Sequence, residues 1–276
     1  MIYSSNYRCN IGIIKSFLML LTQANEYKWQ IWLAIKKKIQ ATYQQDTFGL
    51  FWSIVMPIIP MSVYMILAQI KVFKTIESMP FIFYIAVGML IWLLMSKTIH
   101  LVLLSIKAEK TILRTTTFPI FPAILSRQGE VLHDTAIRLV VLGIIIIWFH
   151  IKVGFISILL FILSLIPAII FVLGLGMVLV ILDLVIQDTR RLVLIGLRYG
   201  LFVSSVIFPF PSHGIAATIN KFNFFNTFVN SSRELLYYGE IKNLSLYIIT
   251  SIVGIIIFLL ASKLIYTMDY KIREYL

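Results

Sequence analysis

The feature that most constrains this chain is the distance between its charges. Val153 to Leu182 runs 30 residues without an Asp, Glu, Lys or Arg. A helix needs about 20 apolar residues to cross the hydrocarbon core of a bilayer. Three more runs meet or approach that length: Thr47 to Ile70 with 24, Ser78 to Ser96 with 19, and Asn243 to Ser262 with 20. Two further spans are less clean. Leu139 to Ile151 holds only 13 uncharged residues and must extend upstream through Arg138, Asp134 and Glu130. Tyr199 to Asn220 holds 22 but is cut by Pro209 and Pro211, so a span here starts near Leu192 and carries Arg198 inside it. The expectation is an all-α membrane protein with six transmembrane helices near 48–70, 80–104, 122–149, 155–182, 191–210 and 244–265. These form one membrane domain, 47–266, after a cytoplasmic N-terminal segment, 1–46, and before a cytoplasmic tail, 267–276. Composition agrees: 60% of the residues are hydrophobic and 13% charged, where a soluble domain has about 45–50% and about 25%.

Orientation follows from Lys and Arg, which concentrate in cytoplasmic loops. With both termini inside, sixteen basic residues fall in cytoplasmic segments and six in outer ones, while Lys97 and Arg138 lie within spans. The net charge of +12 is then a topological signal and needs no nucleic-acid partner. The expected location is the inner (cytoplasmic) membrane, crossed several times. Cys9 is the single cysteine, so no internal disulfide forms. Ile11 to Leu21 is a poor signal peptide, since Lys15 interrupts it.

Two segments are neither spans nor ordinary loops. In Glu26 to Gln45, Trp32, Ile35, Ile39 and Tyr43 recur at helical spacing around Lys36, Lys37 and Lys38. This predicts an amphipathic helix in the cytoplasmic interface; a plain basic flank is the simpler alternative. Phe208 to Glu240 is rich in Phe and Asn and broken by prolines. It is too apolar for a loop and too interrupted for a span. Short re-entrant helices are expected, because irregular backbone survives at membrane depth only where protein or water satisfies it.

Ionisable groups inside a membrane are expensive and count as candidates. Arg127, Glu130, Asp134 and Arg138 are spaced three, four and four apart, which places them on one helical face. They form a polar stripe at a subunit contact or channel mouth, or, more simply, a surface ion-pair ladder. Arg198 either faces a polar pathway or snorkels to the headgroups; Lys97, near a span end, is expected to snorkel. Gly174 and Gly176 are expected to allow close helix packing. The chain has no G-x-x-x-x-G-K-[ST], no H-E-x-x-H and no Cys/His cluster. No catalytic residue, metal site or cofactor of its own is expected.

The stretch Ile35 to Pro57, IKKKIQATYQQDTFGLFWSIVMP, resembles the approach to the first span in permease subunits of type-2 ABC exporters, particularly those of O-antigen, capsule and teichoic acid polymers. Tyr43, Gln44, Asp46, Thr47, Gly49, Trp52 and Pro57 occupy the pattern's places, with Phe48 for the usual Leu. Val87 to Trp92 resembles the family's G-x-x-x-W, and Thr117-Phe118-Pro119 its F-P. Gln187 to Arg190 resembles its R-D-x-R/K, with Gln187 for Arg. Ser204 to Pro209 resembles S-P-V-I-Y-P, with Ser205 for the first Pro, and Asn223-Phe224 stands where the family has Asn-Pro.

The resemblance implies half of a homodimeric channel that exports a polysaccharide on a polyprenyl diphosphate lipid. Each copy would dock a separate cytoplasmic P-loop ATPase, which holds the ATP and Mg, through Lys107, Glu109, Lys110 and Arg114. Lys36 to Lys38, with Tyr43, would meet the lipid diphosphate or anchor to anionic lipid. Trp52, Trp92, Arg198, Phe208 and Phe224 become candidates for the channel or its gate. Alternatives are a membrane glycosyltransferase or polymerase on the same lipid-linked glycans, a related permease carrying a lipid or drug, and an ion-coupled transporter. The outer acids, Glu77, Glu234 and Glu240, form no pair suited to catalysis.

Overall fold

The computed structural model describes residues 10–44, 51–52, 55, 58–59, 62–63, 66, 79–186, 188–207, 209 and 222–275. Among them regular structure is entirely helical: α1 (Ile13–Glu26), α2 (Lys28–Gln44), α3 (Phe81–Ala108), α4 (Lys110–Thr115), α5 (Ile120–Trp148), α6 (Phe155–Val185), α7 (Thr189–Val203), α8 (Phe224–Tyr238) and α9 (Leu244–Tyr275). Four of these, α3, α5, α6 and α9, are long and apolar enough to cross a membrane. The shortest has 28 residues; at about 1.5 Å per residue each exceeds the ~30 Å hydrocarbon thickness. The chain is an all-helical membrane protein.

The expected first span, 48–70, lies largely outside the described residues. The fifth differs from expectation. α7 has 15 residues, about 22 Å by helical rise, and stops at Val203. Ser204 leaves the helix and Ser205 takes a positive φ of 48°, so 191–210 is not one continuous helix. α9 instead runs past its expected end and takes residues 267–275 into the helix.

α3 has no charged residue from Phe81 to Ser96 and is the most buried of the four long helices, as a helix without a polar face over that stretch must be. It packs on α5 and α6, and α6 packs in turn on α9 and α8. Glycines set the closest approaches. A Cβ at Gly174 would lie 2.7 Å from the backbone of Phe258 on α9, and one at Gly176 3.0 Å from Val102 on α3. Both act as the close-packing positions expected of small residues in membrane helices.

Two ends of the bundle differ in character. One gathers α2, α4, the α6–α7 junction and the C-terminal turns of α9; it carries Lys36 to Lys38, Lys107, Lys110, Arg114, Arg190, Arg191 and Arg273 and is called the basic end. The α5–α6 and α8–α9 connections meet at the opposite end, where a Cβ on Gly239 would touch Ser157 Oγ. α1 lies along α9, with Phe17 edge-on to Phe258 at 5.7 Å, and reaches the basic end where Tyr27 meets Phe118.

Candidate functional site

The last four carbonyls of any helix lack intrahelical donors, and α7 ends inside the protein. The Val203 carbonyl and two carbonyls just beyond the helix accept from two other helices. Asn223 Nδ2 donates to Val203 O at 2.9 Å and to Ser204 Oγ at 3.0 Å. Tyr84 Oη donates to Ser205 O at 2.8 Å, and Arg233 Nη2 to the same oxygen at 3.0 Å and to Val206 O at 3.5 Å. Arg233 is 2% exposed. Its guanidinium carbon sits 3.5 Å from the centre of the Tyr84 ring, and Nη1 donates to Asn230 Oδ1 at 2.8 Å. No carboxylate among the described residues lies within ion-pair distance of it. A cation is well placed at a helix C-terminus, where carbonyl dipoles converge, and the aromatic face adds a cation–π contact.

Local sequence explains why α8 delivers Arg233 to this point. Asn223 caps the helix, its Oδ1 accepting from Asn226 N at 3.3 Å, and Gly239 ends it with φ of 80°, which a glycine adopts without strain. Gly88 on α3 makes the room: a Cβ there would lie 2.4 Å from Arg233 Nη2 and 2.7 Å from Val206 O. One turn on, buried Trp92 lies beneath Gly200 of α7 and against Phe225 of α8, ring centres 5.7 Å apart. Gly88, Trp92, Ser204 to Ile207 and Asn223, separate in sequence, thus meet in one joint between α3, α7 and α8.

The basic end is held by carboxylates. Glu109, between α3 and α4, receives Lys38 of α2 at 2.9 Å and Arg127 of α5 at 3.3 Å. Lys38 also donates to Ser126 Oγ at 2.7 Å. Burial pushes the Lys38 ammonium below its ordinary range, and the hydrogen bond to Glu109 opposes that shift. Gly129 lets α2 settle on α5, since its Cβ would lie 2.2 Å from Ile35 Cδ1. Asp183, 1% exposed, receives Lys107 of α3 at 2.8 Å and Arg190 of α7 at 3.1 Å. Arg273 donates to the carbonyls of Leu113, Thr116 and Phe118, and Asp269 accepts from Ile120 N at 3.4 Å. The end of α9 therefore braces α4 and caps the start of α5.

The structure brings some expected residues together and separates others. Arg127 pairs with Glu130 at 3.3 Å and Arg138 with Asp134 at 3.9 Å. The stripe is not a simple surface ladder, however. It faces α2 and α3, Arg138 is buried, and Asp134 takes Lys97 of α3. Lys97 pairs with this acid on the neighbouring helix while its side chain stays 41% exposed. Of the expected docking residues, Lys107 and Glu109 tie helices together, while Lys110 and Arg114 stand exposed on α4 beside Ile112.

α2 divides its expected face. Ile35 and Ile39 turn inward, whereas Trp32 is exposed, stacked on Trp29 at 5.3 Å with Lys36 5.2 Å above its ring. Lys37 is exposed with them. Tyr43 falls in the last turn of α2, and its side chain is outside the described residues. Trp52 is exposed against Phe51 at 5.7 Å, and Arg198 is exposed on α7. Phe224 packs edge-on to Phe171 at 5.8 Å in an aromatic cluster with Phe225 and Phe228. Phe208 and Gln187 lie outside the described residues.

Sequence reasoning missed Arg233 and Asp183. Arg233 counted only as an outer-loop charge. The signal was the spacing of Asn223, Asn226, Asn230 and Arg233, which is three, four and three and marks one helical face. Asp183 looked like the boundary of the longest apolar run. No known family profile matches the chain, and no curated protein matches it.

Proposed function

We propose that this chain is the channel-forming permease subunit of an ATP-driven exporter that moves a lipid-linked polysaccharide across the cytoplasmic membrane. It works as two copies with a separate P-loop ATPase on the basic side. The observation that carries this reading is α4. A six-residue helix is a poor structure by itself, because nucleation is costly. Here it is braced by Arg273 on its last carbonyls and by the Glu109 ion pairs at its start. It presents Lys110, Ile112 and Arg114 outward, a rigid basic and apolar knob suited to a docking groove on another subunit.

Force applied to α4 reaches α3 through Glu109 and α9 through Arg273, and from α3 it reaches the joint at Gly88 and Arg233. ATP-driven change in the partner supplies energy only through its different affinities for the two states of this chain. Trp29, Trp32, Lys36 and Lys37 form the membrane-facing side of α2, where aromatic rings and ammonium groups suit an anionic headgroup layer. The substrate class and the homodimer rest on the motif resemblance. Depleting the chain in its native cell should make lipid-linked glycan accumulate on the cytoplasmic face. An unchanged distribution of that glycan contradicts the proposal.

A further inference from the structure

We propose that a pocket of about 140 Å³ between α8 and α9 binds one uncharged, hydroxyl-rich group, such as a single sugar ring or a polyol arm. Polar side chains this deeply placed normally find partners inside the protein; here one has none and a second uses only its acceptor. Ser231 is 4% exposed, and its hydroxyl has no partner among the described residues. Asn226 is 6% exposed. Its Oδ1 accepts from Asn230 Nδ2 at 2.9 Å, while Asn230 Oδ1 is taken by Arg233. The Asn226 amide N–H groups are left to the pocket.

Three further groups converge there. Glu234 uses Oε2 on the Lys242 N–H at 3.0 Å and keeps Oε1 open. Asn243 stands at the rim with a donor and an acceptor, and Leu246 supplies an apolar wall. Amide donors, a carboxylate acceptor and a hydroxyl match adjacent hydroxyls, each of which both donates and accepts. The apolar wall suits the C–H face of a ring.

Charge narrows the class. Glu234 is the one acidic or basic side chain among the described residues lining the pocket, and Arg233 points away from it, into the joint. An anion such as phosphate would meet a like charge with no compensating cation. Size narrows it further: about 140 Å³ is room for one small group and too little for a polymer. Asn230 links the pocket to Arg233 and so to the end of α7. The pocket stands on this chemistry alone; that its ligand is a unit of the exported polymer rests on the proposed function.

The test uses the purified full chain and ligand-observed NMR with glucose, galactose, N-acetylglucosamine, glycerol and ribitol, and with inorganic phosphate alongside. At least one neutral probe should bind saturably, and phosphate should not compete with it. Asn243→Leu at the rim and Ser231→Val within should each weaken binding about tenfold. Asn243→Leu should leave the melting temperature unchanged, so its loss of binding is not a loss of fold. Failure of every neutral probe to bind, competition by phosphate, or binding unchanged in both variants overturns the pocket. Export without such binding overturns it too. Binding without export keeps the pocket and removes only its link to the polymer.

Discussion

Both ends of this bundle hold cations in place, and they do so by different chemistry. At the basic end, carboxylates do it: Asp183 holds Lys107 and Arg190, and Glu109 holds Lys38 and Arg127. Each acid joins two helices through long side chains, so either partner can be exchanged while the acid stays paired. At the opposite end, Arg233 meets two backbone carbonyls, an amide oxygen and a tyrosine ring. Those carbonyls exist as acceptors only because α7 breaks at Ser204. A cation paired with acids pins helices side by side; a cation paired with carbonyls fixes the shape of the backbone itself. The second arrangement is the less forgiving.

The sharpest way to break this contrast is Arg233→Leu. It leaves the Ser205 and Val206 carbonyls with fewer donors and should cost about 3 kcal/mol or more, seen as a large drop in melting temperature. Arg233→Lys should recover part of the loss, since one ammonium cannot copy the planar fork. Melting like the parent chain would dissolve the distinction between the ends. Asp183→Asn comes next. It strands two cations and should cost about 3 kcal/mol, while Lys107→Gln costs clearly less because its side chain is 42% exposed. Equal losses in the two variants would mean Asp183 acts by packing alone.

Two glycines sharpen the same comparison. A methyl at Gly88 meets the Val206 carbonyl oxygen, which belongs to backbone, whereas one at Gly129 meets the tip of the Ile35 side chain. Gly88→Ala should therefore cost about 1–3 kcal/mol and Gly129→Ala visibly less, because Ile35 can change rotamer; thermal melts of the pair decide it. Ser205→Gly should stabilise by about 1 kcal/mol, since φ of 48° is strained for a residue with a Cβ. Ser205→Pro should destabilise, because proline holds φ near −65°. The smallest effect belongs to Lys36→Ser with Lys37→Ser on the exposed face of α2. Their melts should stay within about 0.5 kcal/mol of the parent.

Much of this fold was legible because charge is scarce. α3, α6 and α9 follow the uncharged runs to within a few residues at most boundaries, and the polar stripe on α5 was visible from its spacing. α7 was not legible, because its apolar run continues past Val203 and only tertiary donors make a break there tolerable. The partner of Lys97 was hidden for a related reason: nothing local says that Asp134 faces it from α5. The joint was half legible: Gly88, Trp92, Ser204 to Ile207 and Asn223 stood out in order along the chain. What brings them together is Arg233, and nothing local says that its acceptors lie 28 residues upstream.

The most direct test of the account concerns the basic end. The chain is purified from its native membrane beside a variant carrying Lys110→Glu and Arg114→Glu, and the proteins that accompany each are identified. The account predicts a stoichiometric P-loop ATPase with the parent chain, and its loss from a variant that melts normally. If the parent chain purifies without an ATPase and transports or transfers glycan alone in liposomes, the export-permease reading is wrong.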